Sequence, residues 1–386
     1  MQKKLIALAI ASLSGAAFAD ASNVTIYGVA DGSFDVINIS GGNGVDTPRF
    51  SRVSSNGSHI GLKGKENLGN GLSAIFQFES DAKFDNGGSL GTGRDSFVGL
   101  TGNFGTVVLG TLTAPTRALG ARLDVNTGEG ISSNTALLGK LGGALSYGDT
   151  LKGTLTGSVI NPTNVNGRSD DTTSVFDSRH KNSIAYVSPS FSGFQATAAY
   201  MANENKSEAP GAEINTSAYD LGLTYDNGPI YIGGTYAEVR VKDNTDTKLK
   251  ETRLGGMYDF GVATVRAMYA RTKLEGNGSP DMTQNVWGIG GTYNVTANGK
   301  ITAQYYAADD LDVNGDINET GAKFYTLGYE HSLSKRTMLK AGYAYLKNDN
   351  NVQNGGGGYD FGYNSAGYTG NDIKVSGFQF GVRHAF

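Results

Sequence analysis

One pattern governs what this chain of 386 residues can become. Again and again, about ten residues alternate apolar and polar before a turn-forming cluster interrupts them. Near the N-terminus, Val24, Ile26, Gly28, Ala30, Gly32, Phe34 and Val36 alternate with Thr25, Tyr27, Asp31, Ser33 and Asp35. Tyr219, Leu221, Leu223 and Tyr225 oppose Asp220, Gly222, Thr224 and Asp226, and Leu339, Ala341, Tyr343 and Tyr345 oppose Lys340 and Gly342. Successive side chains of a strand point to opposite faces, so each segment has one greasy and one wet face. Strands in soluble sandwiches typically run five or six residues. About ten residues, tilted, is the length that crosses a bilayer.

Sixteen such segments are expected, near 23–38, 50–66, 71–83, 93–102, 105–112, 178–188, 192–203, 216–227, 230–241, 249–259, 262–273, 284–295, 299–308, 321–332, 336–347 and 374–386. The ninth, around Ile230 to Val239, alternates poorly. Tight connections rich in Gly, Asn, Asp and Pro, such as Asp226-Asn227-Gly228-Pro229, alternate with longer polar ones at 39–49, 84–92, 113–177, 204–215, 242–248, 274–283, 309–320 and 348–373. Short turns on one side and long loops on the other, with an even strand count, describe an up-and-down barrel of the outer membrane. Closure is compulsory, because an open sheet edge in lipid strands its hydrogen-bonding groups. The expected fold is therefore all-β, a 16-stranded antiparallel transmembrane β-barrel. It accounts for 57 glycines, about twice the usual share, and for 20 Tyr and 17 Phe, which suit turns and interfacial girdles.

Residues 1–19 read as a secretory signal peptide, with Lys3 and Lys4, an apolar stretch from Leu5 to Ala17, and the A-x-A site Ala17-Phe18-Ala19. Residues 20–386 would then be the barrel. The absence of cysteine excludes a disulfide scaffold, a zinc ribbon and a thiol nucleophile. A net charge of −4 argues against nucleic-acid binding. Four histidines without metal-type spacing, and no G-x-S-x-G elbow, argue against an enzyme, and no cofactor is implied.

The chain resembles the general porins of Gram-negative bacteria, in particular the neisserial and β-proteobacterial family. The matching stretches include Val24-Thr25-Ile26-Tyr27-Gly28-Val29-Ala30-Asp31, then Ser58-His59-Ile60-Gly61-Leu62-Lys63-Gly64 and Ser96-Phe97-Val98-Gly99-Leu100. Asn182-Ser183-Ile184-Ala185-Tyr186, Leu333-Ser334-Lys335-Arg336-Thr337 and the ending Gly381-Val382-Arg383-His384-Ala385-Phe386 follow in the same order. The resemblance implies a homotrimer, passive diffusion of small hydrophilic solutes, contact with outer-membrane lipid and lipopolysaccharide, and insertion by the outer-membrane assembly machinery. Phe378, Phe380, Val382 and Phe386 look like the family's assembly signal, with His384 where another apolar residue is common.

A barrel this wide does not discriminate small solutes unless something narrows it. The longest connection, 113–177, is the candidate. By family resemblance it folds inward, over about Ala114 to Gly143; for the remainder, to Phe176, an external extension and a place in the pore are both open. The resemblance also puts a basic wall opposite it, at His59, Arg94 and Arg179, with Lys63 on the same face as His59. His59 stands where Arg is usual, Thr111 where Arg is common, and Ala185 where a basic residue often occurs. The loop adds Arg117 and Arg122 but also Asp124 and Glu129. Summed wall charge sets ion preference, so a modest anion preference is expected, with pH dependence if His59 titrates in the pore.

One further motif carries metal-type residues. Asp310, Asp312, Asn314 and Asp316 match the first half of a calcium loop, but Gly321 replaces the bidentate Glu, so a solvated external loop is expected and no metal. Other readings of the barrel are a substrate-selective channel and a surface adhesin or receptor. A barrel without conductance, or one whose loops alone carry its attachment, would favour the latter.

Overall fold

The computed structural model describes residues 23–41, 49–85, 90–91, 93–128, 130–141, 160–161, 174–203, 206, 215–242, 246–276, 279–313, 316–317, 319–350, 359 and 372–386. The expected leader, Glu129, Asn314 and most of 142–173 lie outside these residues.

Sixteen wall strands run in chain order. They are β1 (Asn23–Ser40), β2 (in two parts, Phe50–Ser55 and His59–Gly69), β3 (Leu72–Ala82), β4 (Ser96–Gly102), β5 (Gly105–Thr113), β6 (Arg179–Val187), β7 (Phe194–Met201) and β8 (Asn215–Asn227). They continue with β9 (Ile230–Lys242), β10 (Thr247–Asp259), β11 (Ala263–Gly276), β12 (Ser279–Asn294), β13 (Gly299–Ala308), β14 (Ala322–Ser332), β15 (Thr337–Asn348) and β16 (Lys374–Ala385). Each pairs antiparallel with its neighbour in sequence, and β1 pairs with both β2 and β16, so the sheet closes into a barrel. Among the described residues no wall strand is left with an unpaired edge.

The alternation read from sequence has a fixed sense. Val24, Ile26, Phe34, Leu221, Leu223, Phe378 and Phe380 are exposed on the outer face, while Asp31, Asp35 and Asp220 point inward and are buried. Asn23 pairs with Lys65 near the tight β2–β3 turn, and Phe386 bonds Gly28, so both described chain ends lie at the short-turn end. Two expected long loops prove shorter: β9 reaches Lys242 with β10 starting at Thr247, and β11 reaches Gly276 with β12 starting at Ser279. An antiparallel ladder satisfies its own backbone groups, so it continues beyond the apolar band until the chain reverses.

The hydrophobic core lies inside the barrel. Leu119, Leu123, Ile131, Leu137 and Leu138 of the long β5–β6 connection pack with inward residues of β1 and β9–β16, including Ile37, Met268, Phe324, Leu346 and Val375. A second cluster joins Leu141, Val175 and Phe176 of the same connection to Met201, Ala218, Ala237, Val239, Val241 and Leu249. The first described stretch of the connection, to Leu141, and its end at Val175 and Phe176 are therefore folded inward against the wall from β7 round to β1, while Ile160–Asn161 pairs with the start of β6.

Candidate functional site: the constriction inside the barrel

The inward loop begins with the helix α1 (Pro115–Leu123). Proline suits the first helical turn, where its missing N–H has no partner to lose. Pro115, Leu119 and Leu123 are four residues apart and share one buried face. That face meets inward glycines on successive strands. A Cβ on Gly222 of β8 would lie 2.9 Å from Pro115, and one on Gly233 of β9 would lie 2.6 Å from Leu119. Gly255 of β10 meets Leu123 more closely still, and a Cβ on Gly290 of β12 would lie 2.8 Å from Val125. Any larger wall residue there would push the loop off.

Buried charge fixes the helix. Thr116 donates to the Asp220 carboxylate through its backbone N–H (3.0 Å) and its hydroxyl (2.9 Å). Arg253 of β10 is fully buried and donates to both oxygens of Asp177 (2.7 and 2.6 Å), to Glu251 and to Thr116 O (3.3 Å). Thr116 opens the long connection and Asp177 ends it, so one guanidinium ties both ends to the wall. A planar fork of five N–H donors suits this multiple bonding.

Beyond α1 the chain runs across the remaining strands. Thr302 of β13 donates to Asn126 (3.0 Å), and Gln304 donates to Ser132 O (2.8 Å). Glu330 of β14 accepts from Thr127 N–H and hydroxyl (both 2.8 Å) and pairs with Lys300 (2.7 Å). Gly128, at φ +78°, lies against Asp31 and Arg383, where a Cβ would come within 2.6 Å of the Asp31 carboxylate. The positive φ and the close approach both require glycine.

The sequence-expected residues separate into three groups. Arg94 and Arg179 are buried and ion-paired. Arg94 meets Glu79 (3.3 Å) and Asp81 (3.0 Å), and Arg179 meets Asp95 (2.8 Å). Burial acts to raise the Asp95 carboxyl, but Arg179 and Thr113 hold it below the usual carboxylate range. On the wall away from α1, Lys63 lies over the Tyr27 ring at 4.9 Å, and His59 meets the same ring edge-on. His59 Nδ1 is 2.9 Å from Gly57 O. On the loop, Arg117 donates to Asp177 O, and Arg122 lies over Tyr231 and 3.3 Å from Asp226. Burial pushes the Asp124 carboxyl up, partly offset by bonds from Asn126 N–H (3.0 Å) and Asn134 N–H (2.8 Å).

Several residues of the site escape motif reading. Arg266 of β11 donates to Asp124 O. Asp31 faces two cations, Lys340 at 2.5 Å and Arg383 at 2.9 Å. With Arg253, Asp177, Asp220 and Glu330 they share one signal, a charge at an inward position of a strand or at a loop end.

Two other expectations concern regions away from the loop. Asp310 accepts from Thr320 N–H (2.8 Å) and Gly321 N–H (2.9 Å), and Asp312 pairs with Asp316 in a two-rung hairpin. Among the described residues no three metal-type side chains converge. Phe378, Phe380, Val382 and Phe386 are exposed on the outer face.

A closed barrel with outward apolar residues and an inward loop tied across its wall defines an outer-membrane channel. The Gram-negative porin family model matches residues 5–351, and this chain belongs to that family. It is 30% identical over 394 residues to outer membrane porin protein 32 of Delftia acidovorans, covering 100% of both chains. It is 29% identical to the major outer membrane protein P.IB of Neisseria meningitidis serogroup B, covering 89% of this chain and 93% of the other. The solved anion-selective porin from Comamonas acidovorans superposes with a TM-score of 0.71 at 27% identity, covering 95% of this chain and 100% of that one. The chain is a porin of the outer membrane, and its barrel forms a channel.

Proposed function

We propose that this porin passes small hydrophilic solutes and ions by passive diffusion, with a modest preference for anions, and that the 113–177 connection is its constriction. The observation that carries the preference is a pair of cations. Among the described residues, Lys63 and Arg266 face inward without a carboxylate partner, Lys63 against an aromatic ring and Arg266 against a backbone carbonyl. Arg94 and Arg253 each face two carboxylates and Arg179 faces one, so these arginines shape the wall and add no net positive charge to it. Charge that is not cancelled locally sets the field along a pore. The similarity to a solved anion-selective porin supports the same sign.

Glu129 and His59 belong to the proposed constriction with the residues above. A homotrimer, lipopolysaccharide contact, a cleaved leader at 1–19 and an assembly signal at Phe378, Phe380, Val382 and Phe386 complete the reading. Liposome swelling tests the diffusion claim. Vesicles carrying the protein should swell in isosmotic small sugars, faster for smaller ones. Swelling no faster than in protein-free vesicles contradicts it.

A further inference from the structure

The outer face of β9–β11 carries charge where a lipid-facing barrel should be apolar. Antiparallel register sets these residues in rows across the strands. Tyr236, Thr252, Arg271 and Asn285 form one row, Glu238, Lys250 and Lys273 the next, and Arg240, Lys248 and Glu275 a third. Their strand neighbours Ala237, Val239, Leu249, Glu251 and Thr272 point inward and are buried, so the charged rows face out.

Their height is fixed by an aromatic belt. Tyr269 pairs with Trp287, and Trp287, Tyr305, Tyr325 and Tyr345 form ring contacts at 5.3, 4.8 and 6.3 Å around the outer face. Trp and Tyr settle at the headgroup level of a membrane. Arg271 is two residues above Tyr269 on β11, about 7 Å along the strand toward the long-loop side. The charged rows therefore stand at the headgroup and phosphate level of the outer leaflet. Deeper in the bilayer an outward Arg would be destabilising.

Carboxylates only partly answer the cations. Lys250 pairs with Glu275 (2.7 Å), Lys273 with Glu275 (3.0 Å) and Asp281 (2.8 Å), and Arg240 with Asp246 (2.7 Å). Glu238 instead accepts from the hydroxyls of Tyr219 and Tyr236. Among the described residues, Arg271 and Lys248 have no ion-pair partner. Counting Asp246 and Asp281 beside the rows, five cations face four carboxylates, and one of these, Glu238, is held by tyrosine hydroxyls.

We propose that these rows are a docking surface for the phosphates of an anionic glycolipid in the outer leaflet, with Lys250, Arg271 and Lys273 at its centre. The inference rests on the proposed lipopolysaccharide contact and gives it a place on the wall. Guanidinium and ammonium groups donate several charge-assisted bonds to phosphate, and the belt below packs against the acyl chains.

Native mass spectrometry of the folded protein in detergent tests it, with bisphosphorylated lipid A as the probe. The wild type should bind this lipid at least about tenfold more tightly than lipid A stripped of both phosphates. K250Q/R271Q/K273Q should lose that difference, K250R/K273R should keep it, and single-channel conductance should not change in either, since none of these residues lines the pore. Equal binding of the two lipids by the wild type overturns the proposal, as does full binding by the triple variant. Loss of binding that comes only with a change in oligomeric state overturns it too, because the rows would then be a protein interface. Absence of conductance in the wild type would instead contradict the channel reading.

Discussion

In the proposed pore, Lys63 and Arg266 are inward cations without a carboxylate ion pair among the described residues, and Asp124 beside Arg266 tempers the second of them. The Asp124 carboxyl is held above its usual range by burial, so it takes up a proton as pH falls, before a solvent-exposed aspartate would. Protonation removes a negative charge beside Arg266. Anion preference should therefore rise as pH falls from 7 toward the ordinary carboxylate range, starting above it, and D124N should raise it at pH 7 and flatten that rise. A D124N reversal potential indistinguishable from wild type would remove Asp124 from the pore field. Asp95 has the opposite sign. Its depressed value contributes stability above the ordinary carboxylate range, which is lost as pH falls through that lower value. Sequence showed Arg94 and Arg179 as basic positions but not their neutralisation. Glu79 and Asp81 reach Arg94 from β3, and Asp95 reaches Arg179 across the mouth of the long loop, a pairing set by register and loop path.

At the scale of elements, the wall and the loop are made for each other. G233V should force Leu119 into the lumen and lower single-channel conductance, at a cost of about 1–3 kcal/mol from overpacking. An unchanged conductance would mean that α1 does not rest on β9. R253M leaves Asp177 and Glu251 buried without their partner, a local cost of about 3–5 kcal/mol. The expected result is unsteady current with frequent closures, with R253K partly restoring steady opening. A quiet R253M channel of wild-type conductance would contradict the tie. The same packing explains why β9 alternated poorly in sequence. Its inward residues Ala237, Val239 and Val241 are apolar because the loop covers them, and its outward residues Glu238 and Arg240 lie on the long-loop side of the aromatic belt, beyond the apolar band. The rule that the apolar face meets lipid fails wherever the lumen wall is itself covered by protein.

The whole molecule depends on closing β1 against β16. Phe386 exchanges both backbone hydrogen bonds with Gly28 (both 3.1 Å), and its ring fills the space that a Cβ on Gly28 would take. Deleting Phe386 should lower the yield of folded barrel, read as the fraction migrating as compact protein on an unheated gel. An unchanged fraction would show that closure does not need it. Strand number, strand sense and closure were legible in the sequence, because two-residue alternation and turn chemistry are local signals. The path of the loop was not, because it depends on glycines spread over β8, β9, β10 and β12 that form one surface only after the barrel closes. The central claim is that this barrel is an open channel whose residual charge is positive. The zero-current reversal potential of the purified protein in a planar bilayer, under a KCl gradient, tests it most directly. The account predicts a potential of the sign set by chloride, reduced in K63Q/R266Q. A potential of the sign set by potassium would contradict it.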